Sequence, residues 1–308
     1  VQKADVASLP DNCLHEALTV LGIMVNSFRF EQRNMDDPMA KEDIPEAIMM
    51  PWTEVCTRVG RPGCNLGLQD VTFINARWND VTRPLPDRWS MDNSQMFYPV
   101  FRTQTEHVFL MIFNEMLAKF SPAVEAMVKA QEAVIIKDNE SLISSLLVIK
   151  SALDEQVNTF HKISVNKTVA SMYCDPVQWA KTIAKWCAPW SGGPPPPPGI
   201  SGLASPMFHA LDCFLGRKDY SSPLGIEAMH IRKWMPPVHQ RFFEALEAVS
   251  VGEYCYHESS ITELKGIFEG ILETYAGERG LLGTHRYKVY GFLELGFKSV
   301  IVNQISRN

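Results

Sequence analysis

The chain has 308 residues, of which 46% are hydrophobic, so it can bury the core of one large or two unequal domains. Its net charge is −6, with acidic and basic residues interleaved, and no basic face predicts a nucleic-acid partner. The longest uninterrupted apolar run, residues 108–113, is far shorter than a membrane span. We therefore expect a monomer with no nucleic-acid partner and no membrane segment.

The seven cysteines are scattered and form no CxxC pair: Cys13, Cys56, Cys64, Cys174, Cys187, Cys213 and Cys255. This pattern is typical of free thiols in a reducing compartment and argues against a zinc site. The first residues carry no signal-peptide core. We therefore expect a cytoplasmic protein.

The first third of the chain is irregular. Residues 11–30 carry Leu14, Leu18 and Leu21 at helical spacing, which predicts an amphipathic helix. Residues 51–61 favour a short helix that ends near Gly60. A passage rich in proline and asparagine then runs to residue 99. We interpret residues 1–99 as a small irregular N-terminal domain.

From residue 103 the pattern changes to long helices. Residues 105–120 contain the run 108–113, which is apolar on all sides and predicts a central buried helix, and Pro122 is expected to begin the next one. The prolines at 194–198 predict a stiff extended loop, with a polyproline ligand for an SH3-type partner as the alternative. Further helices are expected over residues 139–163, 175–186, 205–216, 226–234, 239–249 and 264–275 and from 282 onward. The class is therefore all-α, with a large helical bundle over residues 100–308.

The last predicted helix carries a histidine on its apolar face. His285, Val289, Phe292 and Gly296 fall on one stripe at helical spacing. A glycine inside a helix costs roughly 1 kcal/mol relative to alanine, so Gly296 and the nearby Gly291 suggest a close approach. A flat cofactor held by His285 is one explanation. A core histidine bonded to a backbone carbonyl is the other.

A second histidine lies on the predicted central helix, where His107, Met111 and Glu115 share one face. Buried polar groups of this kind need partners or a wet cavity. Histidines inside a helical bundle are one way to hold haem iron, so His107 and His285 are candidates for a distal group and a proximal ligand. They are equally consistent with two unrelated core residues. No Walker, Rossmann, HExxH or GxSxG motif points to other chemistry.

Several segments together resemble the indoleamine 2,3-dioxygenase family of haem proteins. These segments are residues 51–55, 75–78, 160–163, 201–216 and 232–239, followed by the helix that carries His285. They occur in the same order as in the family. The run Met235-Pro236-Pro237-Val238-His239 is the most specific of them. The wider group includes tryptophan 2,3-dioxygenase and a haem enzyme of the pyrrolnitrin pathway.

The resemblance implies an all-α fold in which the large C-terminal domain encloses haem b, with O2 as co-substrate and a small aromatic substrate. His285 matches the proximal iron ligand. Ser201 and Gly202 match a loop over the distal face of the haem, which assigns Ser201 to catalysis and both residues to haem binding. Gly202 would also contact the substrate.

The sequence departs from the family at its substrate site. Tryptophan enzymes of the family carry a phenylalanine and, five residues later, an arginine that grips the substrate carboxylate as a bidentate fork. These positions are Trp179 and Ala184 here. Trp179 is thus the candidate that packs against the substrate, and a substrate without a carboxylate is expected.

The resemblance also leaves assignments around the haem open. The arginine for a haem propionate falls on Leu282, and Arg279 or Arg286 would have to replace it. One placement puts His107 and Met111 over the distal face, as catalytic and substrate-binding residues, while a different gap would put Phe113 there. The family's glycine-rich mobile loop has no counterpart before the last residue.

Three functions are consistent with these residues. The first is a haem-dependent oxygenase that cleaves the ring of an indole or related aromatic in dioxygenase fashion, within tryptophan or indole metabolism but not on ordinary L-tryptophan. The second is another haem reaction, namely hydroxylation, peroxide-driven oxidation or rearrangement, in which a distal His107 moves protons. The third is a haem-based O2 carrier or sensor without enzymatic activity.

Overall fold

A computed structural model describes residues 5–30, 37–168, 172–190, 197–218, 220–258 and 261–305. Within these residues the secondary structure is almost entirely helical, which confirms the predicted all-α class. The α-helices are α1 (Leu14–Phe28), α2 (Glu46–Arg58), α3 (Leu68–Val71), α4 (Gln104–Ile136), α5 (Asn139–His161), α6 (Pro176–Lys181), α7 (Ile183–Trp186), α8 (Pro206–Phe214), α9 (Pro223–Arg232), α10 (Pro237–Ala248), α11 (Val251–Glu253), α12 (Thr262–Ala276) and α13 (Leu281–Ile305).

A short antiparallel hairpin interrupts the first third. Strands β1 (Ala76–Trp78) and β2 (Ser94–Met96) pair with Arg77 opposite Gln95. Trp89, between the strands, packs edge-on against Trp78 at 4.9 Å between ring centroids. Three-residue strands are too short to leave an alternating pattern in the sequence, so the hairpin was not predicted.

The prediction that a new helix begins at Pro122 is wrong, because Pro122 lies inside α4, a single helix of 33 residues. A proline inside a helix removes the N–H that would bond the carbonyl four residues earlier, here that of Ala118. The neighbouring Ser121 hydroxyl donates to this same carbonyl at 2.8 Å. Phe120 and Ala123, on either side, are fully buried. A replacement hydrogen bond and packing therefore offset the missing N–H.

Helices α4 and α5 form the centre of the bundle. Two residues join them: Lys137, in the left-handed region with φ of 60°, and Asp138, whose carboxylate accepts from the Ser141 N–H at 3.1 Å. So short a connection makes the two helices antiparallel neighbours. The Asp138 carboxylate therefore caps the start of α5.

Other helix boundaries follow the sequence with small shifts. The Asp175 carboxylate caps α6, but the helix expected over residues 175–186 breaks at Thr182 (φ −124°, ψ −76°) into α6 and α7. Helix α2 begins at Glu46, so Pro51 lies inside it rather than at its start. Gly216 has φ of 69° and ends α8, the position at which glycine is favoured.

The buried apolar side chains form one cluster on both sides of residue 99. Leu18 and Trp52 belong to it together with Phe120 and Leu146. The division into domains 1–99 and 100–308 therefore stays a prediction. None of the described helices is long and apolar enough to cross a membrane.

Candidate functional site

A large cavity lies between α4, the end of α5, the segment before α8, and α13. Its volume is about 1360 Å³, above the range of roughly 300–1,000 Å³ that is usual for small-ligand pockets. Most of its wall is apolar, and its aromatic lining residues are Phe109, Phe113, Phe160, Phe208, Tyr287, Tyr290 and Phe292. Such a cavity suits a flat, largely apolar ligand with room for a second molecule.

His285 lines this cavity with its imidazole between two phenylalanines. Its ring centroid lies 5.4 Å from that of Phe160 and 6.4 Å from that of Phe208. Within the part of the chain that the structure describes, neither ring nitrogen has a hydrogen-bond partner, so no described carbonyl supports the alternative of a carbonyl-bonded core histidine. Burial lowers the pKa of His285 and favours the neutral ring. A neutral imidazole with a free nitrogen is what a metal ion requires.

Helix α13 is held by close contacts at two positions. A Cβ on Gly296 would lie 2.6 Å from the Pro176 carbonyl, so this glycine allows α13 to approach α6. The close approach that the glycines predict is therefore between α13 and α6, at Gly296. A Cβ placed on Gly291 would meet no atom within 4 Å. One turn beyond His285, the Lys288 ammonium donates to backbone carbonyls at the end of α5.

The segment predicted to pass over the haem lies against α4. The Ser201 hydroxyl accepts from the Leu203 N–H at 3.2 Å and so caps a short 3-10 turn, Gly202–Ala204. Gly202 lines the cavity, and a Cβ there would lie 3.2 Å from Cζ of Phe113. His209 stabilises this turn, because its Nε2–H donates to the Leu203 carbonyl at 2.7 Å.

Trp179 supports the cavity wall from outside. Its ring packs against Phe109 at 5.5 Å and against Phe292 at 5.2 Å between centroids. Its indole N–H is buried and has no partner among the described residues. Ala184, at the family's arginine position, follows on α7. Direct contact between Trp179 and a substrate stays a prediction. In the structure Phe109 and Phe292 line the cavity, and the Trp179 ring packs against both of them.

The cationic groups of the cavity cluster on its α13 side. Arg279 and Arg286 both line it and are exposed at its rim, whereas Leu282 packs against the apolar core. The structure thus places both candidate replacements for the propionate arginine at the cavity, beside His285. Which of them contacts a haem stays a prediction.

His107 and Met111 do not face the His285 cavity. His107 lines a separate, smaller cavity of about 580 Å³, with its Nε2 3.4 Å from the Met91 carbonyl, and Met111 is fully buried. Successive residues turn by about 100° around a helix, so Phe109 and Phe113 point away from this face and line the His285 cavity. The expectation that His107 and Met111 face the haem is therefore corrected, and the placement with Phe113 fits.

Glu115 also lines this smaller cavity, and its carboxylate is nearly fully buried. It pairs with Lys162, lies 3.2 Å from the Lys119 ammonium and accepts from the Met91 N–H at 3.1 Å. Burial alone would raise the pKa of Glu115, but these partners hold it below its usual value. The cavity of His107 is thus lined by polar groups that already have partners.

Sequence comparison adds the family context. A family model described as indoleamine 2,3-dioxygenase matches residues 5–277. Human indoleamine 2,3-dioxygenase 2 is 24% identical over 232 residues, which cover 69% of this chain and 53% of that protein. Rat indoleamine 2,3-dioxygenase 1 is 22% identical over 232 residues, which cover 70% and 54%. The chain spans about half the length of these relatives, and His285 lies beyond the residues that the family model matches.

Proposed function

The chain belongs to the indoleamine 2,3-dioxygenase family, and from this premise we propose that it is a haem-dependent oxygenase acting on an indole or related aromatic compound without a carboxylate. The family's enzymes use haem b, with O2 as co-substrate. The observation that carries the proposal is the His285 imidazole, which faces a large aromatic cavity without a hydrogen-bond partner among the described residues.

The residues of the cavity fit haem b. His285 offers a neutral nitrogen for the iron, the phenylalanine rings offer flat apolar walls for the porphyrin, and Arg279 and Arg286 offer cations for its propionates. When bound, haem supplies the redox-active iron that activates O2. The protein's own contribution is to bind and orient both molecules and to exclude water.

The described residues suit a reaction that needs no strong protein base. The wall formed by Phe109, Phe113 and Gly202 presents rings and a glycine, while Glu278, Glu294 and His161 line the cavity from other segments. Gly202 leaves space for a ligand to approach the turn closely. In the dioxygenase reaction that the family implies, both oxygen atoms enter across the indole C2–C3 bond and give an N-formyl product.

The proposed substrate class follows from a missing arginine. A guanidinium binds a carboxylate through two parallel hydrogen bonds, and Ala184 at this position donates none. Lys181 and Lys185 lie close by in sequence, but an ammonium is a point charge and does not replace the fork. We therefore expect uncharged indoles to be turned over faster than L-tryptophan.

The first test is the visible absorption spectrum of the protein after incubation with haem. The wild type and the exposed-histidine variant His15→Ala are expected to show the same strong Soret band, and His285→Ala is expected to lose or shift it. A wild type that takes up no haem, or a His285→Ala spectrum identical to the wild type, would contradict the proposal.

The second test is a substrate panel with the reduced haem protein under O2. Loss of the indole absorbance and release of an N-formyl product are expected for indole and its uncharged derivatives, with little turnover of L-tryptophan. Efficient turnover of L-tryptophan would contradict the proposed substrate class. Haem uptake without consumption of any compound would favour the carrier or sensor instead.

A further inference from the structure

We propose that Lys288 positions His285 by fastening α13 to the C-terminal end of α5, an inference that rests on the haem-binding function proposed above. The Lys288 ammonium donates to the backbone carbonyls of Phe160, His161 and Ile163, each at 3.0 Å. An ammonium has three N–H donors, so these contacts use all of them.

The acceptors are groups that a helix leaves without partners. The last four carbonyls of an α-helix make no intrahelical hydrogen bonds, and they carry partial negative charge. Phe160 and His161 are the last two residues of α5, and Ile163 comes one residue after the cap residue Lys162. A cation at this point both satisfies the carbonyls and stabilises the end of the helix. The contact joins residues more than 120 positions apart in sequence.

The contact made by Lys288 also affects the surroundings of His285. Lys288 follows His285 by three residues, so the two side chains are neighbours on the surface of α13. Phe160, whose carbonyl Lys288 binds, packs its ring against the His285 imidazole at 5.4 Å and a tilt of 32°. The Lys288 ammonium also lies 5.5 Å from the centroid of this ring. One side chain thus fixes both the backbone and the ring that contact His285.

His285 depends on this packing because no hydrogen bond orients it within the described residues. Metal-binding histidines are usually oriented by an acceptor on the second nitrogen, and losing such a partner typically weakens metal affinity by about 10- to 100-fold. Here the orientation comes from Phe160 and Phe208, and the position of Phe160 comes from Lys288. Lys288 is therefore a positioning residue rather than a catalytic one.

Lys288→Met tests the proposal, because methionine keeps an apolar stem and removes all three donors. Lys298→Met is the matched control: this lysine lies on the same helix, is exposed and pairs with the exposed Glu294. Haem affinity is expected to fall by about 10-fold or more in Lys288→Met, by analogy with the loss of an orienting partner, and to stay at the wild-type value in Lys298→Met. The iron–histidine vibration in the resonance Raman spectrum is expected to shift only in Lys288→Met.

A second readout needs no haem. In protein labelled with 13C-histidine, the His285 ring resonance, assigned by its absence in His285→Ala, is expected to shift or broaden in Lys288→Met and not in Lys298→Met. A folded Lys288→Met with the wild-type resonance and haem affinity would overturn the proposal. If Lys288→Met does not fold, Lys288→Gln, which keeps two donors on a shorter side chain, takes its place with the same two outcomes. A wild type that binds no haem would contradict the proposed function, while the resonance would still decide the role of Lys288.

Discussion

The two cavities beside α4 each contain a histidine, and they differ in how their polar groups are satisfied. His285 faces about 1360 Å³ of mainly apolar space and has no hydrogen-bond partner among the described residues. In the smaller cavity of about 580 Å³, His107 lies near the Met91 carbonyl, and Glu115 is surrounded by two ammonium groups and an N–H.

This difference separates a binding site from a structural contact. A buried polar group without a partner costs free energy unless a ligand supplies one, so it points to a ligand. Polar groups that already satisfy one another contribute to the fold. Met91, which precedes β2, and Lys162, which follows α5, both contact Glu115 of α4. The smaller cavity thus joins three distant segments of the chain.

The largest effect is expected from Glu115→Ala, which leaves Lys119 and Lys162 without their buried partner. Breaking a buried ion pair costs about 3 to 5 kcal/mol, and the partial exposure of Lys162 places this case near about 3 to 4 kcal/mol. Urea denaturation measures the loss. Glu155→Ala is the control, since Glu155 is exposed and lies 3.5 Å from the same Lys119, and it should cost less than about 1 kcal/mol. Equal losses for the two variants would contradict the structural role of Glu115.

A third histidine, His209, provides a pH test of the turn at the His285 cavity. Burial, with a smaller effect of Arg232, lowers its pKa from 6.5 to about 4, although the bond to the Leu203 carbonyl opposes this. As the pH falls from 6.5 towards 4, the unfolded chain takes up a proton that the folded protein cannot hold. Stability should therefore decrease over this range, by up to about 3 kcal/mol.

His209→Gln is the matched variant for this prediction, because glutamine can still donate to Leu203 and does not titrate. The free energy of unfolding is measured by urea denaturation between pH 7 and pH 4. Acidic groups titrate in both proteins, so the expected result is an additional loss in the wild type alone. Parallel pH profiles would show that His209 does not carry this proton linkage.

Much of the bundle could be predicted from the sequence because the signals are local. The caps Asp138 and Asp175, the glycine at Gly216 and the stripe that begins at His285 each depend on neighbours within one or two helical turns. The helix start predicted at Pro122 rests on the same local reasoning. That prediction is wrong, because the Ser121 hydroxyl donates the hydrogen bond that Pro122 cannot donate.

The site itself was only partly predictable, for two physical reasons. The first is that α4 is apolar on all sides over residues 108–113, so periodicity does not show whether His107 or Phe113 faces the cavity. The second is that the partners of each histidine come from distant segments. Lys288 gave no signal at all, because its acceptors are backbone carbonyls, and every residue has one.

The smallest effect is expected from His107→Ala, which tests the comparison directly. The contact between His107 Nε2 and the Met91 carbonyl is long, at 3.4 Å, so its loss should cost about 1 kcal/mol in urea denaturation. Haem uptake and turnover per bound haem should equal the wild type. Phe113→Leu, on the opposite face of the same helix, should change turnover or the Soret band because Phe113 lines the His285 cavity. Lost turnover in His107→Ala with a normal haem spectrum would instead mean that a proton crosses α4 during the reaction, and hydroxylation or peroxide-driven oxidation would become the better description of the chemistry.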